Sequence, residues 1–215
     1  MLNMIIKFFH DGGVFMYPIT VILAFVVAVV VERIYFLSFK SNLDAAKLFS
    51  EIRKYVKDGD VEAAAKLLND SPLCRVLKAG LTNADRDIDM VRSAMEEEAV
   101  AVIPRIEKRI THLSTAANVA TLLGLLGTIY GLIAAFSAVA EADPAQKATL
   151  LAKGISIAMN TTAYGLIVAI PTIIAHSFLQ SRANRLLDEI DEYSLKLLNL
   201  FKEVKKEKQV LTWQE

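Results

Sequence analysis

Residues 113–140 read LSTAANVATLLGLLGTIYGLIAAFSAVA, twenty-eight positions without one charged side chain. A helix needs about 20 apolar residues to cross the hydrocarbon of a bilayer, so this stretch alone argues for a membrane span. Two further runs flank it: 14–31 and 154–181 are also free of Asp, Glu, Lys and Arg. The hydrophobic share of the 215 residues is 54%, against roughly 45–50% in ordinary globular domains, and the excess sits in these runs. The expected fold class is an all-α membrane protein with three transmembrane helices. Pro18 and Pro171 fall inside two of them, where neighbouring helices can satisfy the freed carbonyls.

The first run is not read as a cleavable signal, whose core spans about 7–15 residues before a small-residue cleavage site. It continues into Glu32-Arg33 and then Ile34, Tyr35, Phe36 and Leu37, a helix leaving the membrane with Glu32 and Arg33 snorkelling as a pair. Charge distribution then sets the topology. Fourteen Lys and Arg lie between Arg33 and Arg109 and seven between Arg182 and Lys208, but only Lys147 and Lys153 in the 141–153 loop and Lys7 before the first run. Positive residues concentrate on the cytoplasmic side, which predicts a periplasmic N-terminus and a cytoplasmic tail.

The organisation expected is therefore an outer-face interfacial helix (1–13), span 1 (14–38), a cytoplasmic helical region (39–112), span 2 (113–140), a periplasmic loop (141–152), span 3 (153–180) and a cytoplasmic helical tail (181–215). In the 39–112 region Asp60 and Ser71 have the look of N-caps, with Pro72 at a first helical position and Asp58-Gly59-Asp60 as a turn. From Asp87 no stop precedes Ala140 apart from a kink at Pro104, and Leu186, Ile190, Tyr193 and Leu197 keep helical spacing beyond span 3. Spans 2 and 3 are thus expected to extend as long helices into the cytoplasm, accompanied by small cytoplasmic helices.

Polar groups divide the spans. Span 1 has Thr20 as its one polar interior residue and the composition of a lipid-facing helix. In span 2, Asn118, Thr121, Gly124 and Thr128 share a face, with Gly127 and Gly131 as a small pair beside it. In span 3, Ser156, Asn160 and Tyr164 share one face, and Ala158, Thr162, Gly165, Ala169 and Thr172 another. Asn160 and Thr162 stand about 200° apart. One reading is glue between helices, at about 0.6 kcal/mol per hydrogen bond. The other is a wet path lined by Thr121, Thr128, Asn160, Thr161, Thr162 and Tyr164, with Gly124, Gly127, Gly131, Gly165 and Pro171 shaping the packing. No Asp, Glu, Lys, Arg or His lies in the interior of any span, and a proton relay in a membrane needs a titratable group, so a conducting path requires an acid from a partner.

No nucleophile elbow, HExxH, phosphate-binding loop or Cys/His metal spacing occurs. Glu96-Glu97-Glu98 point in different directions on a helix and read as a solvated face. Cys74, the one cysteine, reads as a packed thiol. No enzymatic activity, metal, cofactor or nucleic-acid partner is expected.

The ordered motifs carry a resemblance. Gly12-Gly13 followed by MYPI at 16–19, VERI at 31–34, PRIEKR at 104–109 leading into LLGLLGTIYGLI at 122–133, and TTAYGLIVAIP at 161–171 resemble the MotA/TolQ/ExbB proton-channel family, in its three-span ExbB/TolQ-like branch. That resemblance implies a homopentamer around a dimer of single-span ExbD/TolR-like subunits, each bearing a membrane aspartate. It implies Thr128 and Thr162 facing the pore near that aspartate, and a motor in the bacterial inner membrane. Such a motor couples the proton motive force to work on a periplasmic or outer-membrane partner. Two positions depart from the family pattern: Thr121 stands where many members have proline, and Ile157 where ExbB and TolQ chains carry glutamate. A stator-like subunit of a motility motor and a non-conducting membrane scaffold are the alternatives.

Overall fold

The computed structural model describes residues 8–9, 12–37 and 44–212. The expected interfacial helix at 1–13 lies largely outside the described residues, as do the last residue of the expected span 1 and the end of the tail. Among the described residues the chain is helical, without a strand. Its helices are α1 (Met16–Tyr35), α2 (Ala45–Lys57), α3 (Val61–Lys66), α4 (Pro72–Thr82), α5 (Ile88–Glu107), α6 (Ile110–Glu141) and α7 (Pro144–Thr212). Three stretches, within α1, α5–α6 and α7, are long and apolar enough to cross a membrane.

The contacts divide the chain into two units. The first comprises the residues up to Glu32 together with Arg109–Phe178, and the second Arg33–Lys108 with Leu179–Glu215. The first gathers the three uncharged runs, the last of them as far as Phe178. Its outward side chains are apolar: Val21 is 70% exposed, Leu122 61% and Ile174 66%. A water-facing surface would not carry so much unsheltered hydrocarbon, and a lipid-facing one does.

The second unit is patterned for water. α2 starts where the Asp44 carboxylate accepts from the Lys47 amide (3.2 Å), and buries Ala45, Leu48, Ile52 and Val56 at helical spacing. α3 starts on Asp60, which accepts from the Ala63 amide at 2.9 Å, after the turn in which Gly59 takes φ +84°. α4 starts on Ser71 with Pro72 following, and packs Leu73, Val76, Leu77 and Leu81 inward. Both expected caps and the expected turn are present. Lys57 and Arg53 of α2 bracket Glu203 of α7 at 3.0 and 3.9 Å. The lysine holds that carboxyl below its ordinary range, chiefly through the hydrogen bond.

One expectation is corrected. Helix α5 runs through Pro104 and ends at Glu107; the break falls at Lys108-Arg109, with Arg109 left-handed at φ 63°. That conformation costs a non-glycine residue about 1–2 kcal/mol. Arg109 is ion-paired to Glu32, the last residue of the first unit's α1 segment. A long-range ion pair, not a local breaker, accompanies the break. Helix α7, by contrast, continues without interruption to Thr212, through Pro171.

Candidate functional site

The two-residue link Ala142-Asp143 turns the chain from α6 into α7, so their first-unit parts run antiparallel. Small residues meet along the contact. A Cβ on Gly165 would stand 2.8 Å from the Ala120 carbonyl oxygen and 3.1 Å from the Gly124 Cα. One on Gly124 would stand 3.3 Å from the Gly165 Cα and from the Thr162 Cα, and one on Gly131 3.1 Å from the Ala158 Cβ. Gly154, outside the expected packing set, closes on Ala135 in the same way. The spacing 154, 158, 165 was the signal that could have found it. Membrane helices gain little by hiding leucine from lipid, and close backbone approach through small residues is what draws them together.

Thr128 and Thr162 sit on this seam, half-buried, with their hydroxyls in direct contact. Thr162 Oγ1 is 3.0 Å from the Gly124 carbonyl; Thr128 Oγ1 is 3.1 Å from that of Ala158 and 3.3 Å from that of Gly124. Each hydroxyl has one proton and two acceptor lone pairs. Two hydrogen-bond directions are therefore open: Thr128 to Thr162 to the Gly124 carbonyl, or Thr162 to Thr128 to the Ala158 carbonyl. In either direction lone-pair capacity is left for a donor from outside the chain. The pair can solvate a proton or orient a carboxyl group. It cannot store the charge, because neither hydroxyl ionises near neutral pH.

The neighbouring residue points elsewhere. Thr161 is 1% exposed; its hydroxyl meets the Gly12 carbonyl at 2.6 Å and the Ile157 carbonyl at 2.9 Å. Gly127 leaves the room that its methyl group occupies. Tyr164 is also buried, its hydroxyl 3.0 Å from Thr20 Oγ1, with Phe9 edge-on at 5.2 Å and Phe8 at 6.2 Å. Thr20 gives its proton to the Met16 carbonyl at 2.8 Å, so Tyr164 is the donor between them. Thr161 thus ties α7 to the turn before α1 and Tyr164 ties it to α1, while Thr128 and Thr162 join α7 to α6. Asn160 is half-buried, and Thr121 is exposed with its hydroxyl folded back on the Ala117 carbonyl at 3.1 Å. Pro171 is exposed within α7, next to the buried Thr172 that bonds back to the Val168 carbonyl at 2.6 Å. Ile157 packs toward Gly13.

At the edge of α1, Glu32 and Arg33 each engage a residue far along the chain. Glu32 takes Arg109. Arg33 is 3% exposed, donates to the Arg105 carbonyl at 3.1 Å and lies 5.1 Å over the Phe36 ring. Among the described residues no three His, Cys, Asp or Glu converge where they could hold a metal ion.

A unit of three apolar helices, two of them meeting along a glycine seam that carries hydroxyls, defines a polytopic membrane protein with a polar contact between its helices. Comparison with known proteins narrows the class. The profile of the MotA/TolQ/ExbB proton channel family matches residues 68–192, more than half of the chain, and the chain belongs to that family. A putative biopolymer transport protein ExbB-like 3 of Synechocystis is 32% identical over 173 residues, covering 79% of this chain and 82% of the relative. A putative ExbB homolog of Methanothermobacter thermautotrophicus is 28% identical over 194 residues, covering 89% and 67%. The TolQ protein of the Haemophilus influenzae Tol-Pal system is 33% identical over 119 residues, covering 52% of each chain. The solved structure of C. jejuni MotAB shares the fold, with a TM-score of 0.64 at 14% identity over 92% of this chain and 79% of that one.

Proposed function

We propose that this chain is the multi-span subunit of an ExbB/TolQ-like proton-channel motor in the bacterial inner membrane, a channel component and not an enzyme. Several copies, five by the resemblance, surround two single-span ExbD/TolR-like subunits. Each of those brings the membrane aspartate that this chain lacks. The proton moves between that carboxylate and the Thr128–Thr162 pair, and the flow turns one ring against the other to work on a periplasmic or outer-membrane partner. The N-terminus is periplasmic and the C-terminus cytoplasmic.

The observation that carries this reading is the hydroxyl pair itself. It is half-buried, it joins the two helices of the seam, and its protons can run in either direction. Thr121 and Asn160 flank the path. Thr161 and Tyr164 serve it by holding α7 in place.

The same hydroxyls are also satisfied within the chain, which is the observation that favours a non-conducting scaffold. Proton flux into vesicles holding the chain with its co-expressed single-span partner separates the two. Thr128→Val combined with Thr162→Val should lower flux by roughly eightfold, the factor that two hydrogen bonds of about 0.6 kcal/mol each supply, with the complex still assembled. Undiminished flux in the double variant would overturn the polar path, and an intact wild-type complex that passes no protons would favour the scaffold.

A further inference from the structure

The first unit also carries a groove that the motor reading leaves unused. It has a volume of about 240 Å³ and opens between the turn at 12–15, α6 and α7. Gly127, Gly131, Ala135 and Gly154 line it, and Tyr130 and Ile157 border it. Lys153 is the one charged residue in the lining. The Thr161 hydroxyl also reaches the groove, but its proton is committed to the Gly12 and Ile157 carbonyls.

Lys153 immediately precedes the uncharged run 154–181, which sets its ammonium where hydrocarbon gives way to headgroups. From there to Thr161 the groove follows α7 for eight residues, about 12 Å at 1.5 Å per residue, into the apolar layer. An apolar hollow of this kind does not hold water, and left empty it forfeits dispersion contacts along its whole wall. The occupant that fits is a stretch of hydrocarbon beneath an anion. We propose that the groove holds an acyl chain of an anionic phospholipid, with the lipid phosphate on Lys153. That the one charged residue in the lining is a cation selects this occupant over a neutral lipid. The assignment goes beyond the motor reading and does not rest on it.

The test uses the full chain, solubilised, stripped of lipid and then offered phosphatidylglycerol or phosphatidylcholine with the same tails. Native mass spectrometry counts the lipid retained. Phosphatidylglycerol should be retained about fivefold more than phosphatidylcholine, the ratio given by about 1 kcal/mol per lysine at an anionic surface. Lys153→Ala should bring the two lipids to parity, and Lys153→Glu should favour phosphatidylcholine. Ala134→Leu with Ala138→Leu, two exposed wall positions off the seam, should reduce retention of both. An intact preference in Lys153→Ala would overturn the headgroup assignment, and unchanged retention in the double leucine variant would overturn the tail assignment. High-yield cross-linking of Ala138→Cys to a second copy in native membranes, in a Cys74→Ser background, would show that another chain covers the groove and would overturn both.

Discussion

The two units of this chain use the same apolar alphabet with opposite placement. In the second, leucine and its kin point inward: Leu77, Ile106 and Leu197 are fully buried, with charges outside. In the first, the contact between α6 and α7 is built from glycine and alanine, and the large side chains Leu122, Ile133, Phe136 and Ile167 point outward at 60–61% exposure. The difference follows from the solvent each unit meets. Burying a leucine away from water is worth about 1.5–3 kcal/mol. Withdrawing one from lipid is worth almost nothing, so helices there associate through close approach and hydrogen bonds.

If that contrast is right, truncation and enlargement should do harm in opposite places. The largest effect expected is Leu197→Ala, a fully buried second-unit position, at about 2–5 kcal/mol. Thermal unfolding of the detergent-solubilised chain, followed by circular dichroism, would register it. Leu122→Ala in the first unit is the matched control and should stay within about 0.5 kcal/mol; a loss equal to that of Leu197→Ala would break the comparison. Enlargement comes next. Gly165→Val places a side chain against the Ala120 carbonyl and the Gly124 backbone, atoms that cannot yield as a flexible side chain would. A cost of about 1–3 kcal/mol is expected, with loss of monodisperse elution; a variant as stable as wild type would remove the seam as the basis of the first unit.

The broad fold was legible because its signals are local. Uncharged runs gave the spans, Asp60 and Ser71 gave helix starts, and unbroken spacing carried the last helix past Ser181. The break at Lys108-Arg109 was not legible. It has neither glycine nor proline, and the partner of Arg109 is Glu32, 77 positions away. Pro104 is the louder local signal, yet the helix continues through it. At the site, spacing revealed which residues are small and which carry hydroxyls. It did not divide Thr161 from Thr162, neighbours about 100° apart on the helix. What separates them is the carbonyl of Gly12, a contact 149 positions distant.

That division yields the next prediction. Thr161→Val removes the bond to Gly12 while keeping the shape, and leaves a buried carbonyl with one partner fewer. Stability should fall by about 1 kcal/mol, while proton flux per assembled complex stays near wild type. Thr162→Val should lower flux, at a stability cost of about 0.6 kcal/mol for its bond across the seam. Equal flux losses in the two single variants would mean that burial does not sort these hydroxyls by role.

The smallest effect belongs to the second unit's surface and has a sign that can be worked out. Glu203 is held below its ordinary value of 4.5, first by its hydrogen bond from Lys57 and then by that lysine's charge. A carboxyl whose folded value is depressed adds stability that is fully present above the unfolded value, and loses it as pH falls through the folded one. The gap between wild type and Glu203→Gln should therefore be constant above about pH 5 and close below 4.5. Both partners are exposed, so high salt should shrink the gap at every pH. Unfolding midpoints of the two chains across pH 3–7 would show it. A gap that stays open at low pH would assign the difference to packing of the longer side chains, and would move this corner of the second unit closer to the first, where contact and not charge holds the helices together.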